Sequence, residues 1–128
     1  MSKGVLYGVG TGPGDPELLT IKAVRTIESC PVIAAPQTAD GAMVALDIVR
    51  GAVDLTGKTV IPVRFSMTCD VERRAAEHAS LVHELVAHLD AARDVALLNL
   101  GDPCIYATFQ RIAPDVRARG FEARAIPG

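Results

Sequence analysis

Apolar residues in this chain fall into two patterns that alternate along it: short near-continuous runs, and stripes at a spacing of three or four. The first run, Gly4 to Gly10, carries Val5, Leu6, Tyr7 and Val9 and predicts a strand. Behind the loop Thr11-Gly12-Pro13-Gly14, the residues Asp15-Pro16-Glu17 predict a helix opening. There Asp15 would cap, Pro16 would take the first helical position, and Glu17 would favour the positive end of the dipole. Leu18, Ile21, Val24 and Ile27 continue at helical spacing until Pro31, and Val32 to Ala35 form a short second strand closed by Pro36. Residues 42–53 predict a second helix, with Met43, Leu46, Ile48 and Val49 inward. A turn at Leu55-Thr56-Gly57-Lys58 leads to a third strand, Val60 to Phe65, with Pro62 as a candidate interruption. After the loop Ser66 to Asp70, a long helix is predicted over 71–92 on the stripe Ala75, Ala79, Val82, Val86 and Leu89. A helix from about 104 to 119, ending at Gly120, and a fifth strand, Phe121 to Ile126, complete the pattern.

The run Val95 to Leu100 is so apolar and so short that it predicts a strand buried on both faces, as in parallel sheets. It stops at Gly101-Asp102-Pro103, where a glycine permits a sharp turn, an aspartate can cap, and a proline suits a first helical turn. Strand–helix alternation of this kind predicts an α/β fold, a mostly parallel five-stranded sheet with helices on both faces. Gly-Asp-Pro occurs at 14–16 and again at 101–103, each time where a strand gives way to a helix. In a parallel sheet both corners lie on one edge, the edge where ligands collect, and they would line a single cleft.

Composition narrows the function. The 128 residues are one domain's worth of chain, and a net charge of −2 speaks against nucleic acid as the main partner. No apolar run approaches the ~20 residues that span a bilayer, and no secretory leader is read at the start, so no membrane partner is expected. The three cysteines, Cys30, Cys69 and Cys104, are odd in number and far apart, which predicts a reducing, cytoplasmic setting.

Chemistry-bearing residues are sparse. Gly8-Val9-Gly10-Thr11-Gly12-Pro13-Gly14 fails the dinucleotide pattern, whose last glycine position holds Pro13 or Asp15 depending on the frame. No Gly-Lys-Ser/Thr follows to make a phosphate loop, and Asp15 would repel a phosphate at that helix entry. Two readings stand: a plain strand–helix turn, or a loop whose backbone approaches a ligand that is not a phosphate ester. Asp102 is equally open, either a helix cap or a carboxylate turned to a ligand. His78, His83 and His88 are spaced by five, which turns them away from one another on a helix, so no metal site is expected. Cys104 lies beside the second corner without a marker of activation, and Glu72, Arg73, Arg74 and Glu77 read as a solvated face.

Two stretches carry more than physics alone extracts. Tyr7-Gly8-Val9-Gly10-Thr11-Gly12-Pro13-Gly14-Asp15-Pro16-Glu17-Leu18-Leu19-Thr20-Ile21-Lys22-Ala23 resembles the N-terminal signature of the tetrapyrrole (corrin/porphyrin) methylases. Leu100 to Phe109 resembles their second signature, and Ala125-Ile126-Pro127-Gly128 the start of a third, in family order. Phe65-Ser66-Met67-Thr68 and the Tyr-x-Thr-Phe ending are most similar to the branch that methylates precorrin-2 at carbon 20 in cobalamin biosynthesis. That branch usually has Pro-Met-Thr for Ser66-Met67-Thr68 and Met-Leu-Tyr-Ser-Thr for Cys104-Ile105-Tyr106-Ala107-Thr108.

The resemblance implies S-adenosylmethionine as methyl donor, no metal, a tetrapyrrole substrate and a homodimer. By motif position, Pro13, Leu100, Gly101, Asp102 and Ile105 would contact the donor, with Tyr106, Ala107 and Thr108 lining the same pocket, and Asp15 is a weak candidate for the chemistry. It also implies that residues 1–128 are the N-terminal lobe of a two-lobe enzyme whose C-terminal lobe this chain lacks. The alternatives are a siroheme-branch or precorrin-3B methylase, diphthine synthase, a ribosomal-RNA methylase, a nucleotide-binding oxidoreductase domain, or a non-catalytic binding domain.

Overall fold

The computed structural model describes residues 3–11, 17, 19–37, 40–64, 71–99 and 108–126. In chain order they form β1 (Val5–Gly10), α1 (Ile21–Ser29), β2 (Val32–Pro36), α2 (Val44–Arg50), β3 (Thr59–Val63), α3 (Val71–Asp90), β4 (Val95–Asn99), α4 (Thr108–Ala118) and β5 (Glu122–Ile126). The five strands make one sheet in the order β3-β2-β4-β1-β5, with every pairing parallel. The α/β class and the parallel sheet expected from the alternation are therefore present.

β4 sits at the centre, paired to β1 on one side and β2 on the other, and all of its residues are buried. That position explains its composition. A strand covered on both faces has no solvent side on which to alternate polar residues, so Val95, Ala96, Leu97 and Leu98 run on without a break. β3 and β5 are the edges. Pro62 lies within β3 opposite Ala35, with no interruption, because an edge strand tolerates a residue that donates no ladder hydrogen bond.

Each face has its own helical layer. α3 and α4 bring Val82, Leu85, Leu89, Ile112 and Val116 onto Leu6, Ala34, Leu97 and Ala123. α1 and α2 bring Ala23, Ile27, Leu46 and Val49 onto Val9, Ile33, Ala96 and Leu98. Neighbouring strand residues point to opposite faces, so Leu97 and Leu98 anchor different cores.

Two local expectations need correction, in the stripes of α1 and α3. α1 begins at Ile21, with Thr20 as the extended N-cap whose hydroxyl accepts the Ala23 N–H at 3.0 Å, and the expected opening at Asp15-Pro16 lies outside the described residues. Ile21, assigned to the apolar stripe, is 72% exposed, while Ile27 of that stripe is buried, joined by Ala23. In α3 the inward stripe is Leu81, Val82, Leu85 and Leu89, while Ala75 and Ala79 are exposed. The spacing was right, but the first half of the helix packs less against the sheet, and leucine displaces alanine where burial is complete. α4 is described from Thr108 onward, and the expected start near 104 lies outside the described residues.

The helix ends follow backbone chemistry. After α4, the Phe121 N–H bonds the Val116 carbonyl and the Gly120 N–H bonds that of Arg117, with Gly120 left-handed at φ 91°. α3 closes the same way on Ala92, at φ 63° without a glycine. At the end of α1, the Lys58 ammonium donates to the carbonyls of Glu28 (2.9 Å) and Cys30 (2.6 Å), so a cation meets the negative pole of the helix.

Gly8 has a packing reason to lack a side chain. A methyl group built there would run into three ring atoms of Phe109 from α4. Gly8→Ala should destabilise the fold by about 1–3 kcal/mol through overpacking. The same change made in a Phe109→Ala background, which removes all three ring atoms, should cost much less, a non-additivity that urea unfolding of the two single variants and the double variant measures directly.

Cys30 is fully buried, and its thiol is pushed up to about 11, first by burial and then by the nearby Asp94 carboxylate. Below the ordinary thiol value of 9.0, both folded and unfolded chains keep this proton. Above it the unfolded chain loses the proton first, so folding stability drops as pH rises from 9.0 toward about 11. The drop should be on the order of 2 kcal/mol for this group, and Cys30→Ala should flatten it in a series of unfolding curves at increasing pH.

Candidate functional site

The strand order creates a crevice at one point of the sheet. From β1 the chain crosses to β2 by way of α1, on one face; from β4 it crosses to β5 by way of α4, on the opposite face. β1 and β4 are nevertheless neighbours, with Gly10 opposite Asn99 at their carboxyl ends. Adjacent parallel strands whose connections leave to opposite sides open a cleft between those connections. The two Gly-Asp-Pro corners follow these two strand ends, so the expectation that both lie on one edge is met at the level of the strands that carry them.

The roots of the two loops are tied together. The Thr11 N–H and the Thr11 hydroxyl both donate to the Asn99 carbonyl, each at 2.9 Å. The Asn99 side-chain amide donates to the Leu97 carbonyl at 3.2 Å. Thr11 and Asn99 are the buried polar side chains among the described residues, and their hydrogen bonds go to main chain. An unpaired hydroxyl or amide at this depth would cost about 1–3 kcal/mol, so the pair holds β1 and β4 in register where the loops depart. Sequence reasoning passed over both residues. The available signals were the polar residue inside an otherwise apolar run, and the threonine that directly follows a strand.

Of the residues expected to bind the donor or act in the chemistry, Pro13, Asp15, Leu100, Gly101, Asp102, Ile105, Tyr106 and Ala107 lie outside the described residues. Thr108 opens α4. The described strand ends, Gly8 to Thr11 and Leu97 to Asn99, carry no ionisable side chain.

Farther along the same edge, two strands away, Arg64 follows β3 and Gln37 follows β2. The Arg64 Nε–H donates to the Gln37 side-chain carbonyl; the Gln37 amide donates to the Gly41 carbonyl at 3.1 Å. The exposed large apolar residues among those described are Ile21, Val44 and Val71, and each is the first residue of a helix. In a parallel sheet every such start lies at the carboxyl edge, so all three rim the side on which the crevice opens.

The histidines stay apart. His78 pairs with Asp115, joining α3 to α4, and His88 lies 3.4 Å from Arg93. Among the described residues no three His, Cys, Asp or Glu side chains converge as metal ligands, and no helix is long and apolar enough to cross a membrane.

This geometry has relatives. Residues 5–128 match the family model described as Tetrapyrrole (Corrin/Porphyrin) Methylases. The chain is 35% identical over 134 aligned residues to the cobalamin biosynthesis protein CobIJ of Mycobacterium tuberculosis, covering 99% of this chain and 26% of that one. It is 32% identical to the precorrin-2 C(20)-methyltransferase of a Sinorhizobium species, covering 98% of this chain and 54% of the relative. The native uroporphyrin III C-methyl transferase of Thermus thermophilus superposes with a TM-score of 0.70 at 27% identity, over 98% of this chain and 48% of that one. The chain thus spans about a quarter of the first relative and about half of the second. With the signature segments issuing side by side from β1 and β4, and the match running over nearly the whole chain, this protein belongs to the tetrapyrrole methylases.

Proposed function

We propose that the protein is an S-adenosylmethionine-dependent methyltransferase that methylates precorrin-2 at carbon 20 in cobalamin biosynthesis. The observation that carries this reading is the pairing of β1 with β4, which sets the roots of both signature loops against each other at the carboxyl edge of the sheet. Tetrapyrrole methylases use S-adenosylmethionine, and the relative named for the carbon-20 reaction is similar over 98% of this chain. In this reading Pro13, Leu100, Gly101, Asp102 and Ile105 hold the donor, and Tyr106, Ala107 and Thr108 line its pocket. The donor supplies an electrophilic methyl group. The protein's task is to align it with a carbon of the tetrapyrrole, an orientation effect worth up to ~7–11 kcal/mol. Asp15 is proposed to contact the substrate or handle a proton at the edge of the cleft.

We read residues 1–128 as one lobe of a two-lobe enzyme, working in the cytoplasm as a homodimer. Support for the second lobe comes from the coverage of about half of the Sinorhizobium relative, and from the apolar rim of Ile21, Val44 and Val71 at the edge where a covering lobe would rest.

Calorimetry of the full-length protein should show binding of S-adenosylhomocysteine and none of NAD, and mass spectrometry should show one methyl group added to precorrin-2. The 128-residue chain alone should bind the donor product weakly and give no turnover; turnover by the isolated chain would sink the two-lobe reading. Asp15→Ala in the full-length enzyme should lower turnover while donor affinity holds, whereas lost affinity at unchanged turnover argues against a chemical role for this residue.

A further inference from the structure

We infer that Arg64, positioned by Gln37, is a recognition residue for a carboxylate of the tetrapyrrole, set at the rim of the cleft. The inference rests on the substrate class proposed above and adds a residue outside the signature segments. Arg64 directly follows β3, and Gln37 directly follows β2. The Gln37 main-chain N–H donates to the Val63 carbonyl at 2.9 Å, which continues the β2–β3 ladder and fixes the two residues side by side.

The side chains then build a relay: the Gly41 carbonyl accepts from the Gln37 amide, and the Gln37 carbonyl accepts the Arg64 Nε–H. This bond uses one of the five guanidinium donors, and among the described residues neither terminal amino group, the pair whose spacing matches a carboxylate, meets a carboxylate. Among the described residues Arg64 forms no ion pair, whereas Arg50, Arg73 and Arg124 each have a carboxylate within 4 Å. An exposed arginine held at its Nε gives up less rotamer freedom on binding than a free one, so its selectivity is partly prepaid in the folded chain.

Position favours the same partner. β3 and β4 flank β2, so the Arg64 backbone lies about 10 Å, two strand spacings, from the end of β4 where the crevice opens. A tetrapyrrole is a broad ring with carboxylate arms around its periphery, so a ring lying over the cleft can present an arm at that distance. A polyanion approaching a chain of net charge −2 also requires a local cation to offset the repulsion.

The test uses the full-length protein, S-adenosylhomocysteine and precorrin-2. Arg64→Gln should weaken precorrin-2 binding about ten- to a hundredfold, the usual size of a charge-assisted hydrogen bond, with donor-product affinity and melting temperature unchanged. Arg64→Lys should recover part of that loss, and Gln37→Leu should reproduce a smaller one, since the charge remains but its orientation does not. Esterifying the substrate carboxylates should make wild type and Arg64→Gln equal. If wild type methylates precorrin-2 and Arg64→Gln binds it as tightly as wild type, the carboxylate role is overturned and the methyltransferase reading stands. If wild type neither binds nor methylates a tetrapyrrole, both are overturned together.

Discussion

The parallel ladder between β1 and β4 is the constraint on which the rest depends. These strands are far apart in sequence, yet Leu6 to Gly10 lie opposite Val95 to Asn99 without a slip. The register has to be strict because both strands are covered on both faces. A shift by one residue would exchange Leu97 for Leu98 and Leu6 for a neighbour, sending each side chain into the wrong core. Two contacts lock it: Asp94 accepts the Val5 N–H at 2.8 Å at the amino end, and Thr11 donates twice to Asn99 at the carboxyl end. The crevice is a consequence of that ladder, since it arises only where neighbouring strands send their connections to opposite faces.

The same ladder gives the glycines of β1 their meaning. Gly8 belongs to a segment that invites comparison with nucleotide-binding turns, but its described role is to admit the Phe109 ring. Phe109 closes the second signature segment and Gly8 lies within the first. The two segments are therefore joined by packing on the α3/α4 face as well as by hydrogen bonds at the loop roots. A chain built this way separates two duties. Core contacts set where the loops begin, and the loops are where we propose the ligand groups lie.

Much of the fold was legible because burial leaves a periodic trace. β4 was recognisable as a doubly covered strand, α3 as an amphipathic helix, and Gly120 as a left-handed stop. The failures have physical causes. Ile21 fits a helical spacing, but it opens α1 directly after the Thr20 cap, where the first turn lies beyond the sheet, and it stays exposed. The stripe in α3 ran through Ala75 and Ala79 because alanine counts as apolar, although its small side chain gives little reason to be buried. Thr11 and Asn99 escaped notice because a buried polar residue that bonds main chain leaves no pattern in sequence. For the site, the signature segments could be located by resemblance, and the strands before them place their roots; the residues proposed for ligand contact, Thr108 apart, lie outside those described.

The amino-acid sequence by itself determined the order and kind of the elements, since these follow from local propensities, capping chemistry and the repeat of apolar positions. It also determined the family, through two signature stretches and the start of a third. Only the tertiary structure decided the strand order β3-β2-β4-β1-β5, which inserts β4 between β2 and β1. That insertion depends on which faces bury together across long crossovers, information no local window contains. It also decided that Arg64 stands beside Gln37 and that Gly8 lies under Phe109. Both pairs join residues distant in sequence, the first brought together by the pairing of β2 with β3 and the second by the packing of α4 on the sheet. The strand ends that precede the two Gly-Asp-Pro corners thereby came to lie side by side.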